Sequence, residues 1–280
     1  MSDLKDLRLL AQGGQAEIYE YDEGRVLRVL QNPQDAPLLG YEVAVTKALH
    51  SSAVFVPEVF ESLTVDGRPA VVVQRIPGPA MLDTIKKRPL RLKAYARKLA
   101  ALHLAVSHNA VPGLNDGRSR ARHLTENSPV LSSEAKSFVL SLLNGLPDGG
   151  TLCHGDFHPG NILVHEGRDY VIDWFGAYRG DMLSDAAHTY LLMKNVPRYP
   201  GLSAAAHRVM KLSGGIFADA YLEALRSLTP FDMAQFSKWL AVKAAERSFY
   251  GMPAEKPGLT RFIETCRQHS GDPASWYKRI

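Results

Sequence analysis

Short alternating runs of apolar and polar residues dominate the first third of the chain. Runs at 7–11, 16–21 and 26–30, punctuated by Gly13-Gly14 and by Asp22-Glu23-Gly24, predict strands. A period near 3.6 follows over 37–49, with Leu38, Tyr41, Val45 and Leu49 on one face, and predicts a helix. Two further strands, 59–65 and 69–76, flank Asp66-Gly67, a pair that tolerates positive φ and so favours a hairpin turn. Pro77-Gly78-Pro79 then breaks the pattern and marks the expected boundary. Beyond it the periodicity is mainly helical. The stretch 89–109 places Leu92, Tyr95, Leu99, Leu102 and Val106 at helical spacing, and 203–226, 230–250 and 257–269 look similar. One interruption stands out: two short apolar runs, 161–165 and 170–174, flank Glu166-Gly167 and predict a second hairpin. The expected architecture is a small β-rich lobe over 1–77, a hinge at 74–79, and a larger helical lobe over 78–280. A cleft between two such lobes is a preferred place for a ligand.

Composition changes little in this picture. The chain has 280 residues, 45% of them hydrophobic and 22% charged, enough for a sizeable core and without a disordered tract. Cys153 and Cys266 make no disulfide framework, and the start MSDLKDLRLL has no apolar segment of a secretory signal, so a reducing cytoplasm is the expected compartment. No apolar run approaches the ~18 residues of a membrane-spanning helix, and no membrane partner is expected. Charge is more informative in its distribution. The net charge is +4, but residues 81–150 hold 11 basic against 5 acidic groups. Within them Lys86, Lys87, Arg88, Arg91, Lys93, Arg97 and Lys98 form a block without an acid. It reads as the solvated face of an amphipathic helix ahead of a nucleic-acid footprint or a lure for an anionic small molecule.

The chemistry concentrates at Cys153-His154-Gly155-Asp156-Phe157-His158-Pro159-Gly160-Asn161-Ile162-Leu163. Gly155, Pro159 and Gly160 forbid a regular helix, so this is a tight loop running into a strand. Asp173 follows at the end of the next strand, and the hairpin through Glu166-Gly167 would bring it beside Asn161. A carboxamide and carboxylates at one point make a hard, oxygen-rich site that suits Mg²⁺, which keeps water and phosphate oxygens in its octahedron. Like charges about 4 Å apart repel by roughly 4 kcal/mol at an effective dielectric of 20, so a polyphosphate there needs a cation. His154 reads as a packed, loop-bracing histidine, and Cys153 as a small buried hydrophobe.

These residues carry a resemblance. HGDFHPGNIL followed by VIDW is similar to the aminoglycoside phosphotransferase and choline kinase family, whose fold is a relative of the protein kinases. The resemblance runs in order over roughly 7–190 and implies an α+β, protein-kinase-like bilobal fold and an ATP- and Mg²⁺-dependent kinase. It implies that Asp156 orients the acceptor hydroxyl and takes its proton, and that Asn161 and Asp173 hold Mg²⁺ on ATP. The turn Gly13-Gly14-Gln15 would cover the phosphates through backbone N–H groups. Arg28 stands where the family has a lysine paired with a helix glutamate, here Glu42; a planar guanidinium is not equivalent to an ammonium. Gln74 and Ile76 would grip adenine through their main chain. Asp181 reads as a helix N-cap and Asp185 as a brace behind the loop.

The acceptor is expected to be a small molecule with a hydroxyl group, such as an aminoglycoside, an amino alcohol or a sugar. Asp219, Glu223 and Glu246 could line its site, and Trp239, Phe249, Tyr250, Trp276 and Tyr277 could stack on it or belong to the core. Arg28 and the thin glycine turn leave a nucleotide-binding, pseudokinase-like module as an alternative. The basic block leaves a protein- or RNA-associated kinase as another.

Overall fold

The computed structural model describes residues 4–197 and 201–280, so the very start of the chain lies outside the described residues. In chain order the elements are strands β1 (Leu9–Gln12), β2 (Ala16–Asp22) and β3 (Arg25–Leu30), helix α1 (Ala36–Leu49), and strands β4 (Val59–Val65) and β5 (Arg68–Gln74). Helices α2 (Met81–Lys87), α3 (Leu92–Ser107), α4 (Gly117–Glu126) and α5 (Ser133–Gly145) come next. Four short strands follow, β6 (Thr151–Cys153), β7 (Ile162–His165), β8 (Arg168–Val171) and β9 (Tyr178–Gly180). Helices α6 (Met182–Lys194), α7 (Ala204–Leu228), α8 (Met233–Tyr250) and α9 (Lys256–Gln268) complete the chain. This is an α+β fold, and it divides into two compact units. One holds the chain up to Thr84 together with Pro159–Ala177; the other holds Ile85–His158 and Tyr178–Ile280.

The first unit is built on an antiparallel sheet in the order β1-β2-β3-β5-β4. Period-two alternation gives it two apolar faces. Leu27, Val29, Ala70 and Val72 share one face with Leu4 and Val65, while Leu30 and Val71 turn to the other and meet Ala16 and Leu39 of α1. The buried stripe of α1 runs through Leu39, Glu42, Val45, Thr46 and Leu49. Leu38, expected on that stripe, is exposed instead. The rotation has a cause: it turns the polar Glu42 inward, to a partner on β3. Both hairpin turns occur as expected, Asp66-Gly67 at φ 51° and 74° and Glu166-Gly167 at φ 49° and 77°. The β7–β8 hairpin is tied to the segment after β5, with the Val164 N–H donating to the Pro79 carbonyl at 2.9 Å. Here Gly78 is a steric requirement, because a Cβ would lie 1.9 Å from the Val164 carbonyl oxygen.

The second unit is helical, with α7 lying along α3 and with α6, α4, α5 and α9 around α8. Its helices start on side-chain caps: Asp116, Ser132, Asp181, Ser203 and Asp232 each accept a backbone N–H from the first turn of α4 to α8. The Asp181 cap also accepts from Gln235 Nε2 and Trp239 Nε1, joining the start of α6 to α8. Trp239 and Trp276 are core residues, whereas Phe249 and Tyr250 are exposed. Every cation of the 86–98 block is on the surface. Among the described residues no helix is long and apolar enough to cross a membrane.

Candidate active site

β6 pairs with β9 and delivers the chain into the loop at Cys153. Cys153 is buried, and that burial pushes its thiol far up, so it is a packing residue without thiolate character. Gly155 then takes φ 81°, a left-handed turn that Cβ-bearing residues resist. His154 is fully buried, and its Nδ1 accepts the Asp156 N–H at 3.2 Å. The loop is braced as expected. Asp185 on α6 accepts the N–H groups of His154 at 2.6 Å and Gly155 at 2.9 Å. Thr189, one turn on, donates to the Phe157 carbonyl at 2.7 Å.

Two residues that sequence reasoning missed complete this brace. His103 of α3 donates from Nε2 to Asp185 at 3.0 Å, and its Nδ1 lies 2.6 Å from the Tyr221 hydroxyl of α7. Its ring also packs on Phe157, with centroids 4.2 Å apart. The available signal was a histidine in register with Leu99 and Val106 on an apolar face, a polar group at a core position. Burial alone would raise the Asp185 carboxyl, but the His103 hydrogen bond and charge hold it well below the usual carboxylate range.

Asp156 leaves this rigid loop with 42% of its side chain exposed and its Oδ2 3.5 Å from His158 Nε2. Burial works to raise its carboxyl too, and the His158 hydrogen bond outweighs it, so Asp156 is ionised at neutral pH. A half-exposed carboxylate on a fixed backbone can accept a proton from a hydroxyl group.

The other expected residues belong to the sheet unit. Arg28, on the α1 side of β3, places its guanidinium 2.5 Å from Glu42 and 3.8 Å from Asp173, with the Phe175 ring 4.7 Å away. Glu42 is buried, which pushes its carboxyl up against the opposing pull of Arg28, and it also accepts the Trp174 N–H. Asp173 sits at φ 70° and ψ 64°, a left-handed conformation that a non-glycine residue adopts only under constraint and often at functional sites. The hairpin lays Asn161 next to the start of this turn, its carbonyl accepting the Ile172 N–H at 3.0 Å. Replacing Arg28 with lysine should keep the Glu42 pair but lose the fork and the ring contact. The expected cost is about 1 kcal/mol in unfolding free energy, read by denaturant titration.

The Gly13-Gly14-Gln15 turn joins β1 to β2. Gly13 has spent its N–H on the Ala16 carbonyl, at 2.9 Å. Neither glycine has positive φ, and a Cβ would meet only ordinary contact at Gly13 and open space at Gly14. The described fold therefore gives no steric reason for glycine at either position. At the end of β5 the Gln74 N–H is taken by the Glu58 carbonyl at 2.8 Å. The Ile76 carbonyl accepts from Gly78, while its N–H has no partner among the described residues.

Asn161 and Asp173 offer carboxamide and carboxylate oxygens, a donor set that fits Mg²⁺. Among the described residues no group of three or more His, Cys, Asp and Glu side chains is arranged to hold a metal ion.

Solved structures share the fold. A thermostable mutant of aminoglycoside phosphotransferase APH(4)-Ia, in ternary complex with ADP and hygromycin B, matches with a TM-score of 0.61 at 18% identity, covering 97% of this chain and 90% of that one. Aminoglycoside-3'-phosphotransferase of type VIII matches with 0.61 at 18% identity, covering 87% and 93%. Amicoumacin kinase hAmiN, in complex with AMP-PNP, Ca²⁺ and Ami, matches with 0.60 at 15% identity, covering 95% and 89%. At such identities the likeness speaks for the protein-kinase-like bilobal fold alone. No curated protein sequence matches. A model of the phosphotransferase enzyme family, APH, matches residues 6–234, most of the chain and the whole stretch from the first strand to the start of α8. With that span and that fold, the chain belongs to the phosphotransferase enzyme family.

Proposed function

We propose that the protein is an ATP- and Mg²⁺-dependent kinase that transfers the γ-phosphoryl group to a hydroxyl of a small molecule. The observation that carries this is the Arg28–Glu42–Asp173 constellation, in which one guanidinium is held by a buried glutamate and reaches a carboxylate on a strained turn. Phosphoryl transfer asks for positioning and charge neutralisation, and a cation fixed next to a metal-type carboxylate supplies both.

In this account Arg28 clamps phosphate oxygens, and the Gly13-Gly14-Gln15 turn covers them with backbone that carries no Cβ at the first two positions. The Ile76 N–H is a donor for the adenine ring, with the Gln74–Ile76 backbone as its rim. Asn161 and Asp173 would hold Mg²⁺, whose charge offsets that of the triphosphate. Asp156 orients the acceptor hydroxyl and receives its proton. The bond from acceptor oxygen to γ-phosphorus forms as the bond from γ-phosphorus to the bridging oxygen of ADP breaks. The pair His103–Asp185 keeps the Asp156 backbone from moving while this happens.

The test is release of ADP, with phosphorylated product followed by phosphorus NMR, across amino sugars, choline-like amines and sugars. Product formed with ATP and Mg²⁺, and lost on chelation, is the expected result. Nucleotide bound but never consumed across the panel would favour a nucleotide-binding module, a reading kept alive by arginine at the lysine position.

A further inference from the structure

Helix α7 packs along one side only. His207 donates from Nε2 to the Val196 carbonyl at 3.0 Å, and Gly214 lies so close to α6 that a Cβ would sit 2.3 Å from the Met193 carbonyl oxygen. Further along, Phe217, Ala218, Tyr221 and Leu225 are buried. At 3.6 residues per turn all these positions share one side of the helix. The opposite side would be polar in an ordinary surface helix. Here it carries Ala205, Val209, Leu212 and Ile216, with Val209 66% and Leu212 68% exposed. Their alternating spacing of four and three residues is that of the seam between two paired helices.

Gly215 stands beside this line, and a Cβ there would meet nothing within 4 Å. Glycine weakens a helix interior, and no close contact inside the protein requires it at this point. A backbone bare of side chain in the middle of an apolar line lets a second helix approach closely.

Charge identifies that second helix. The same spacing continues past Ile216 to Asp219 and Glu223, while Arg208 flanks the line near its other end. Asp219 is held by Lys194 at 2.9 Å, and Arg226 follows Glu223. Arg208 and Glu223 form no ion pair among the described residues. A line that is basic at one end and acidic at the other complements itself when run backwards. An anionic membrane or a nucleic acid would instead meet the acids.

We propose that this face of α7 docks a second copy of the chain, as an antiparallel two-fold helix pair centred near Gly214 and Gly215. Such a contact sets Leu212 of each copy against Ile216 of the other, and brings Arg208 toward Glu223 of the second copy. From Ala205 to Glu223 the line runs about 27 Å at 1.5 Å per residue. One helix width of it buries on the order of 300 Å² on each copy, well under the ~800 Å² of a standard interface, so the dimer is weak and reversible.

Sedimentation equilibrium of the full chain, from about 1 to 500 μM, is the test. The mass should rise from 30.9 kDa toward twice that value, with a dissociation constant of about 10–100 μM. Leu212→Glu places two like charges near the axis and should weaken association at least tenfold. Gly215→Gln should weaken it by a similar factor without lowering the urea midpoint, since glutamine is the better helix former. A glycine needed only by the fold would do the reverse. Arg208→Glu should weaken association about fivefold, and adding Glu223→Arg should restore it. A mass of 30.9 kDa at every concentration would overturn the proposal, whether or not the chain then binds phosphatidylglycerol vesicles through this face. A dimer that Leu212→Glu and Gly215→Gln leave unchanged would overturn it too, because its contact would lie elsewhere.

Discussion

Asp156→Asn should lower turnover by roughly 10²–10⁴ while nucleotide affinity stays within about twofold of wild type. The substitution keeps the volume, and the buried His154 and Asp185 that hold the loop backbone remain in place. What disappears is the group able to take the acceptor proton. The residues assigned to nucleotide sit in the other compact unit. The pH dependence follows from the sign of the shift. The Asp156 carboxyl is held below its ordinary range, so it stays ionised as pH falls from 7 toward 5. Any activity lost in that window must come from another group. Steady-state rates at saturating ATP, with a separate nucleotide-binding titration, check both points; full activity in the Asp156→Asn protein would remove the assignment.

Much of this was legible in the sequence, for physical reasons that differ from residue to residue. Asp66-Gly67 and Glu166-Gly167 announced their hairpins because few residue pairs accept two successive positive φ values. Asp181 announced the start of α6 because a short carboxylate before an apolar run has an orphan N–H to satisfy. The loop running from Cys153 into β7 was readable because Gly155, Pro159 and Gly160 forbid a regular helix there. Other features were hidden because they exist only through distant partners. The face of α1 was read rightly at Val45 and Leu49 but not at Leu38, which is exposed, because periodicity alone did not count Glu42, the expected partner of Arg28, among the inward positions. Strands β6 and β9 are three residues each, too short for a period, and are defined by one another. His103 carried no motif; its meaning comes from Asp185, 82 residues away, and Tyr221, 118 away. Asp173 was found as a carboxylate at a strand end, but its left-handed backbone had no signature in sequence.

The second large effect is expected at Asp185, which touches no reacting atom. Its two oxygens accept from His154, Gly155 and His103, and it is buried in the core of the helical unit. Asp185→Ala leaves two backbone N–H groups and one imidazole facing an apolar void, a loss of about 3–5 kcal/mol in unfolding free energy. Asp185→Asn should fall between, because an amide offers one accepting oxygen and turns a second donor toward the loop N–H groups. The pH dependence separates the charge from the shape. A carboxyl held below its unfolded value of about 3.9 adds stability that is complete above that pH and is lost as pH falls toward the folded value. Wild type should therefore lose stability between pH 5 and 3 more steeply than Asp185→Asn, which has no proton to take up there. Urea midpoints at pH 7, 5 and 3.5 measure this, and parallel curves for the two proteins would show that the carboxylate is not what fixes the loop. Turnover in Asp185→Asn is expected to fall with KM for ATP kept, since the residue acts on Asp156 only through the backbone it holds.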